Sequence, residues 1–237
     1  MTFFSARNIS KVFGESSKPV VALDDVSLDI EKGMFVAIMG PSGSGKTTLL
    51  SILGAMNPPT RGEVVIHGTS LYSLSADELA DFRARHLGFV FQKANLIPFL
   101  SALENVQVAL EINDVAPRAA HKRAMELLDY LGVADRADNL PDALSGGQQQ
   151  RVAVDRALAN EPSLILADEP TAALDSHRGR QVMELFAKVA HERGAAVLVV
   201  THDHRSLDVF DTTYEMEDGR LKSPQNPIER TRNETKH

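Results

Sequence analysis

The feature that most constrains the fold is a glycine-rich segment between a short apolar run and a predicted helix. The run, Phe35–Met39, consists of apolar residues only, as expected of a strand that is buried on both faces of a parallel sheet. The segment behind it matches the pattern G-x-x-x-x-G-K-[ST], and a helix is predicted over 47–53. A strand, such a loop and a helix in this order predict a P-loop, which binds the phosphates of a nucleoside triphosphate.

Each residue type in the predicted P-loop has a chemical reason. Backbone N–H groups over 42–48 would surround the phosphates, and Gly43 and Gly45 would let the backbone approach them closely. Lys46 would reach the β- and γ-phosphates, and the Thr47 hydroxyl would bind Mg²⁺. A chance glycine turn is the alternative, which the flanking strand and helix disfavour. The predicted nucleotide contacts of this loop are Gly40, Pro41, Ser42, Gly43, Ser44, Gly45, Lys46, Thr47 and Thr48.

A second apolar run ends in two carboxylates. Residues 164–167 predict a buried strand, and Asp168 and Glu169 follow it directly. Because open α/β sheets bind ligands at the carboxyl ends of their strands, both acids are expected beside the P-loop. Asp168 suits the Mg²⁺ shell, and Glu169 is a candidate general base for water. An acid pair alone is only moderately specific, but together with the P-loop it indicates hydrolysis of the nucleotide.

Hydrophobic patterning predicts an α/β protein with a helical insertion. Alternating residues over 3–9 and 20–30 predict strands. From 160 onward, buried strands again alternate with a helix. Between 93 and 159 the pattern changes to helical spacing, with helices opened by a capping signal at Ser101 and by Pro117.

Composition limits the class of protein. The chain has 237 residues, no cysteine and a net charge of -7. Disulfides, thiolate metal sites and thiol catalysis are therefore excluded, and binding to nucleic acid is not expected. The longest apolar runs are far shorter than the ~20 residues that span a bilayer, so we expect a chain that does not cross a membrane by itself.

A third glycine-rich element opens a predicted helix that continues through Leu158. It consists of Leu144, Ser145, Gly146, Gly147 and Gln148. One interpretation is a helix start that is capped by its serine. The other is a second anion site formed by backbone N–H groups, which one nucleotide does not need. Such a site would serve the nucleotide of a different subunit.

We call this third element, residues 144–148, the signature. The order and spacing of four features match a known family: the P-loop, the signature, the acid pair and His202. Over 3–222 the chain resembles the nucleotide-binding subunit of ATP-binding-cassette (ABC) transporters. The resemblance implies an α/β P-loop NTPase fold with an ABC ATP-binding domain over 1–222. A RecA-like core with a small antiparallel β subdomain would comprise 1–92 and 160–222, and a helical subdomain would comprise 93–159. Residues 223–237 would form a polar, flexible tail.

The resemblance also implies roles for single residues. Phe13 would stack on adenine, although it could instead be a core residue. Gln92 would contact Mg²⁺ and the attacking water, and His202 would contact the γ-phosphate. Asp175 would lie in a loop that crosses a dimer interface, or would only cap the helix that follows it. The nucleotide of the partner subunit would be bound by Ser145, Gly146, Gly147 and Gln148.

The mechanism implied is a head-to-tail homodimer that encloses two ATP, each between the P-loop of one subunit and the signature of the other. Glu169 would polarise the attacking water, while Gln92 and His202 hold it. Closing and opening of the dimer would move a separate transmembrane permease. That permease would dock on the apolar residues at 96–100, which could alternatively pack the helical block. The chain would then lie at the cytoplasmic face of the inner membrane, peripheral through its permease.

Within the family, residues 95–98 and 101–106 and the doubled glutamine after Gln148 resemble one branch. It serves macrolide exporters, lipoprotein-release complexes and heterocyst glycolipid exporters.

A chromosome-maintenance ATPase would carry a long coiled coil before the signature, and a translational ATPase would carry two cassettes. An ABC ATPase that regulates a membrane protein in cell division or envelope remodelling stays open. A catalytically silent regulator is disfavoured, because the residues assigned to catalysis are all present.

One residue departs from the family pattern. Asp155 stands in the helix behind the signature, where a small residue is usual. Its carboxylate could pair with Arg151 one turn earlier, or it could lie unfavourably against the core. We expect Asp155→Ala to raise the melting temperature or leave it unchanged.

Overall fold

The computed structural model describes residues 3–14, 19–172 and 174–225. Within those ranges, strands form two sheets and six α-helices pack on them. The strands are β1 Phe4–Phe13, β2 Val20–Ile30, β3 Phe35–Met39, β4 Arg61–Ile66, β5 Thr69–Ser70, β6 Leu87–Val90, β7 Leu164–Asp168, β8 Ala196–Thr201, β9 Thr212–Glu217 and β10 Arg220–Leu221. The helices are α1 Lys46–Leu53, α2 Ala76–His86, α3 Ala102–Glu111, α4 Pro117–Tyr130, α5 Gly146–Leu158 and α6 Ser176–Arg193.

The smaller sheet is antiparallel and has the strand order β2-β1-β4-β5. Its central strand β1 pairs on both sides, so that Phe4 lies opposite Ile30 of β2 and Ile66 of β4. These three side chains are fully buried, in one hydrophobic cluster with Leu49 and Leu53 of α1. The small sheet therefore covers the helix that follows the P-loop.

The larger sheet has the strand order β10-β9-β3-β8-β7-β6, and all its strands except β10 run parallel. Both of its faces are covered. Along β3, Val36 and Ile38 belong to one hydrophobic cluster, whereas Phe35 and Ala37 belong to the other. Burial on both faces explains the continuous apolar runs of β3, β7 and β8. Since parallel strands end at one edge, the P-loop after β3, the acid pair at the end of β7 and the segment after β8 emerge together.

Helices α3, α4 and α5 occupy the predicted insertion. The Ser101 hydroxyl accepts a hydrogen bond from the N–H of Glu104 at 3.2 Å, which caps α3, and Pro117 is the first residue of α4. Ala120 and Ala124 of α4 are fully buried, in a cluster that continues to the larger sheet. The helical block thus shares a core with the sheet and has none of its own.

The end of the described chain follows the edge of β9. Gln225 and Thr213 exchange two backbone hydrogen bonds, of 2.8 and 3.0 Å. Gln225, which lies in the segment predicted as a polar tail, is therefore paired with the sheet. Residues 226–237 of that predicted tail lie outside the described residues, and the division into core and helical subdomain stays a prediction. In the part of the chain that is described, no helix combines the length and the apolar content needed to span a bilayer.

Candidate active site

The predicted P-loop forms a tight turn between β3 and α1. Gly45 precedes the first helical residue with φ of 104°, in the left-handed region that favours glycine. A Cβ at this position would lie 2.6 Å from the carbonyl oxygen of Ala22, so the close packing against β2 also requires glycine. The Lys46 ammonium donates hydrogen bonds to the carbonyls of Gly40 and Pro41, at 2.8 and 2.9 Å. The lysine is therefore held over the loop.

A cavity of about 640 Å³ lies against this loop. Pro41, Ser42, Gly43 and residues 45–48 form one wall, and Val20–Ala22 of β2 form another. Gln92, Glu169 and His202 also line it, although they follow three different strands of the larger sheet. Among the described residues, none of 144–148 lines the cavity. The structure thus brings the P-loop, the glutamine, the glutamate and the histidine together without the signature.

Asp168 and Thr47 provide the oxygen atoms suited to a magnesium ion. The Thr47 hydroxyl donates to Oδ1 of Asp168 at 3.3 Å. Burial raises the pKa of the Asp168 carboxyl, and the neighbouring Glu169 adds to this, while the Thr47 hydrogen bond and the Lys46 charge act in the opposite direction. Magnesium prefers a carboxylate and a hydroxyl of this kind beside phosphate oxygens. The residues present therefore fit Mg²⁺.

Two residues hold the Glu169 carboxylate at the carboxyl end of the sheet. The backbone of Glu169 adopts a left-handed conformation with φ of 47°. Oε1 lies 2.9 Å from Nδ1 of His202, and Oε2 accepts a hydrogen bond from the Thr201 hydroxyl at 3.1 Å. The His202 side chain is 66% exposed, whereas that of Glu169 is 17% exposed. The carboxylate is therefore fixed behind a histidine that can face a ligand.

The signature forms a serine-capped helix start, as the first of its two interpretations predicts. The Ser145 hydroxyl accepts from the N–H of Gln148 at 3.3 Å, and the Gln148 side chain accepts from the N–H of Ser145 at 2.9 Å. This is a complete capping box at the beginning of α5. Ser145 and Gly146 are exposed, and Gly147 is half-buried. The second interpretation, contact with the nucleotide of another subunit, stays a prediction.

Asp175 and Phe13 lie outside the cavity lining. Asp175 caps α6, where its carboxylate accepts from the N–H of Arg178 at 3.0 Å, and this bond lowers its pKa. Phe13 is 42% exposed at the end of β1, opposite Val20 of the cavity wall. Phe13 is thus not a core residue, and Lys11 lies 5.1 Å above its ring.

Asp155 lies unpartnered inside the protein. It has no exposed surface, and neither of its carboxylate oxygens has a hydrogen-bond partner among the described residues. The Arg151 guanidinium instead donates to the carbonyl of Leu131 at 3.1 Å, so the alternative in which Arg151 pairs with Asp155 is wrong. Burial raises the pKa of Asp155 well above its ordinary value, with only partial opposition from the Arg151 charge.

The segment predicted to dock a permease divides into buried and exposed residues. Leu96 packs against the main hydrophobic cluster, while Phe99 is 77% exposed. Asn105, which is fully buried, accepts from the N–H of Ile97 at 2.7 Å and donates to the carbonyl of Leu100 at 2.9 Å. The loop is therefore fixed from within, and its phenylalanine points outward. Sequence patterning did not identify Asn105, whose only local signal is a polar residue on the buried face of α3.

Fold and site together define a P-loop ATPase with a separate signature helix. The profile of the ABC transporter family matches residues 23–172, and the chain belongs to that family. The family and the fold predicted from the sequence are thus confirmed, and the chain is an ABC ATPase.

Its similarity to known proteins extends over almost the whole chain. The LolD ATP-binding protein of a lipoprotein-releasing system of Bacteroides fragilis is 44% identical, with 90% of this chain and 97% of that protein aligned. The macrolide export ATP-binding/permease protein MacB of Brucella melitensis is 47% identical, over 91% of this chain and 33% of that protein. Both names fall within the predicted branch. The predicted resemblance to heterocyst glycolipid exporters stays a prediction.

A solved structure shows the same fold in a relative. The ATP-binding cassette MJ0796 of Methanocaldococcus jannaschii is 42% identical and superimposes with a TM-score of 0.85, covering 94% of this chain and 98% of that chain. That structure is a dimer in a post-hydrolysis state bound to ADP and Pi.

Proposed function

We propose that the chain powers a transport complex as a head-to-tail homodimer around two ATP. The observation that carries this proposal is the separation of the predicted nucleotide contacts. The P-loop, Gln92, Glu169 and His202 surround one cavity, whereas Ser145 begins α5 outside that cavity. A second subunit would supply the signature as the remaining wall. The dimeric MJ0796 structure, with its bound ADP and Pi, supports this arrangement.

In each site the residues of the chain would position ATP and remove one proton. The P-loop N–H groups and Lys46 would hold the phosphates. Glu169 would accept a proton from water, whose oxygen attacks the γ-phosphorus while the bond to the bridging oxygen breaks and ADP leaves with the electron pair. Gln92 and His202 would orient the water and the γ-phosphate. Mg²⁺, when bound by Thr47, Asp168 and Gln92, would neutralise charge on the phosphate oxygens.

The partner subunit would contribute through the start of α5 and the loop before α6. Ser145 and Gly147, with the N–H groups of the first turn of α5, would reach the γ-phosphate of the other subunit. Asp175 would lie at the interface. Phe13, which is exposed and lies opposite Val20 of the cavity wall, would stack on adenine. Neither subunit of the homodimer would then hydrolyse ATP efficiently alone.

A mostly apolar cavity beside the helical block supports docking of a separate permease. It has a volume of about 510 Å³ and lies between α2, β6, α3 and α5. Met56 and Ile112 line it and are 47% and 72% exposed. Phe99 does not line it, but it is exposed in the loop before α3. Exposed apolar side chains around a groove are typical of protein contacts. Through such a permease the chain would be held at the cytoplasmic face of the inner membrane.

One experiment tests both the role of Glu169 in ATP hydrolysis and the docking of a membrane permease. The tagged chain and its Glu169→Gln variant are purified from solubilised membranes with ATP and Mg²⁺. We expect both to recover the same membrane protein, and the variant to release phosphate at least about 100-fold more slowly. Equal phosphate release by the two proteins would contradict the assignment of Glu169. Absence of a co-purified membrane protein would contradict the permease.

A further inference from the structure

Thr201 connects two elements of the site through one hydroxyl group. It is the last residue of β8 and has no exposed surface. Its hydroxyl donates to Oε2 of Glu169 at 3.1 Å and accepts from the N–H of Asp203 at 3.0 Å. The first bond reaches the end of β7, and the second fixes the turn that carries His202. The hydroxyl therefore lies between the predicted base and the predicted γ-phosphate ligand.

The rest of β8 shows that packing alone does not require a hydroxyl here. The strand consists of apolar residues from Ala196 to Val200, all fully buried, and valine would fill the position of Thr201 equally well. A buried hydroxyl lowers stability unless it is hydrogen-bonded. One of its bonds goes to Glu169, which lines the nucleotide cavity, and the other goes to Asp203, the residue after His202.

Without that hydroxyl, the Glu169 carboxylate would be held only by His202, which follows β8. Oε1 contacts the His202 ring at 2.9 Å, and the His202 N–H lies 3.4 Å from Oε2. The ring is largely exposed and is assigned to the γ-phosphate, so it cannot also be the only restraint on the carboxylate. Thr201 is the buried restraint among these contacts.

We propose that Thr201 is a positioning residue for ATP hydrolysis, whose hydroxyl holds the Glu169 carboxylate against the attacking water and sets the turn that presents His202. This inference rests on the proposed role of Glu169. A misplaced base lowers the rate of the chemical step and leaves the phosphate contacts of the P-loop intact. The effect is therefore expected in kcat, with little change in KM for ATP.

Matched variants separate the hydroxyl from the packing. Thr201→Val keeps the shape and removes the hydroxyl, while Thr201→Ser keeps the hydroxyl. We expect kcat to fall by roughly 10- to 100-fold in the valine variant, with KM within about twofold, and to return to within about threefold of wild type in the serine variant. Thr213→Val, at a buried threonine of β9 that does not line the cavity, is the control and should keep the wild-type kcat.

The outcomes distinguish this inference from the proposed function. If Glu169→Gln abolishes hydrolysis while Thr201→Val keeps the wild-type kcat, the role of Thr201 is overturned and that of Glu169 stands. Equal losses in the valine and serine variants would also overturn it, because the hydroxyl would not be the cause. Binding of a fluorescent ATP analogue should be unchanged in all three variants. If Thr201→Val does not fold, Thr201→Ala carries the same expectation.

Discussion

Helices α1 and α5 both begin in glycine-rich segments that were predicted to bind phosphate, but their first turns are built differently. α1 begins behind Gly45, whose φ is 104° and which provides no side-chain cap. α5 begins at Gly146 behind Ser145, whose capping box with Gln148 satisfies the N–H groups of both residues. The first turn of α1 lines the nucleotide cavity, and that of α5 does not. Within one chain the P-loop therefore forms part of the cavity wall, whereas the start of α5 is a capped helix end outside it. Under the proposed function, α5 would contact nucleotide only when a second subunit is present.

Substitution of Gly45 should disrupt the P-loop more than any other change at these two helix starts. In Gly45→Ala the new methyl group would lie 2.6 Å from the carbonyl of Ala22, in a backbone conformation that alanine disfavours. The strain costs about 1–3 kcal/mol before the clash is counted, so the loop must move. We expect ATP affinity, measured with a fluorescent analogue, to fall by roughly 100-fold.

Gly146→Ala is the matched control at the start of α5. Its added carbon would lie 3.6 Å from Leu174, which is ordinary contact. ATP binding by the single chain should stay within about twofold of wild type, because this turn does not line the cavity. If the Gly146 variant lost as much affinity as the Gly45 variant, the two helix starts would share one site and the comparison would be wrong.

The same difference explains how much of the site could be predicted from the sequence. The P-loop is one continuous segment of the chain, and the acid pair directly follows its own predicted strand. A local sequence pattern therefore predicts both the structure and the chemistry of each. The bond between Thr201 and Glu169 depends on the parallel pairing of β7 with β8, where Asp168 lies opposite Val200. No local pattern contains that register. The placement of Thr201 beside Glu169 therefore became visible only in the fold.

The docking segment shows a second limit. Its apolar residues look alike in the sequence, yet Leu96 packs in the core and Phe99 is exposed. Asn105 decides this, because its buried side chain fixes the backbone of the loop from Ile97 to Leu100. Local hydrophobicity predicts that such a segment is apolar, but only tertiary contacts determine which side chains are left for a partner.

A smaller effect concerns the interiors of the two helices. The interior of α1 buries leucine and isoleucine, whereas α5 buries Asp155 without a hydrogen bond. An unsatisfied buried polar group costs about 1–3 kcal/mol. We expect Asp155→Ala to raise the melting temperature by about 5 °C, with no change in ATP binding. A loss of several degrees would mean that the carboxyl is stabilising where it lies.

The difference in melting temperature between Asp155→Ala and wild type should also depend on pH. Because burial raises the pKa of Asp155 in the folded state above its ordinary value of 3.8, the folded chain retains a proton that the unfolded chain releases. The contribution of this group to stability is therefore lost as the pH rises from about 4 toward the folded pKa. The difference in melting temperature between Asp155→Ala and wild type should be larger at pH 8 than at pH 5. A difference that is independent of pH would show that only packing has changed.

The smallest effect tests whether the start of α5 is more than a cap. Ser145 and Ser101 form equivalent capping boxes, on α5 and α3. Replacing either by alanine should cost about 1 kcal/mol and lower the melting temperature by about 2–4 °C, because both helices lose the same bond. Phosphate release by the assembled protein should fall only in Ser145→Ala, since only this hydroxyl is assigned to the nucleotide of the partner. Equal phosphate release by the two variants would leave Ser145 a helix cap and remove the signature hydroxyl from the proposed site.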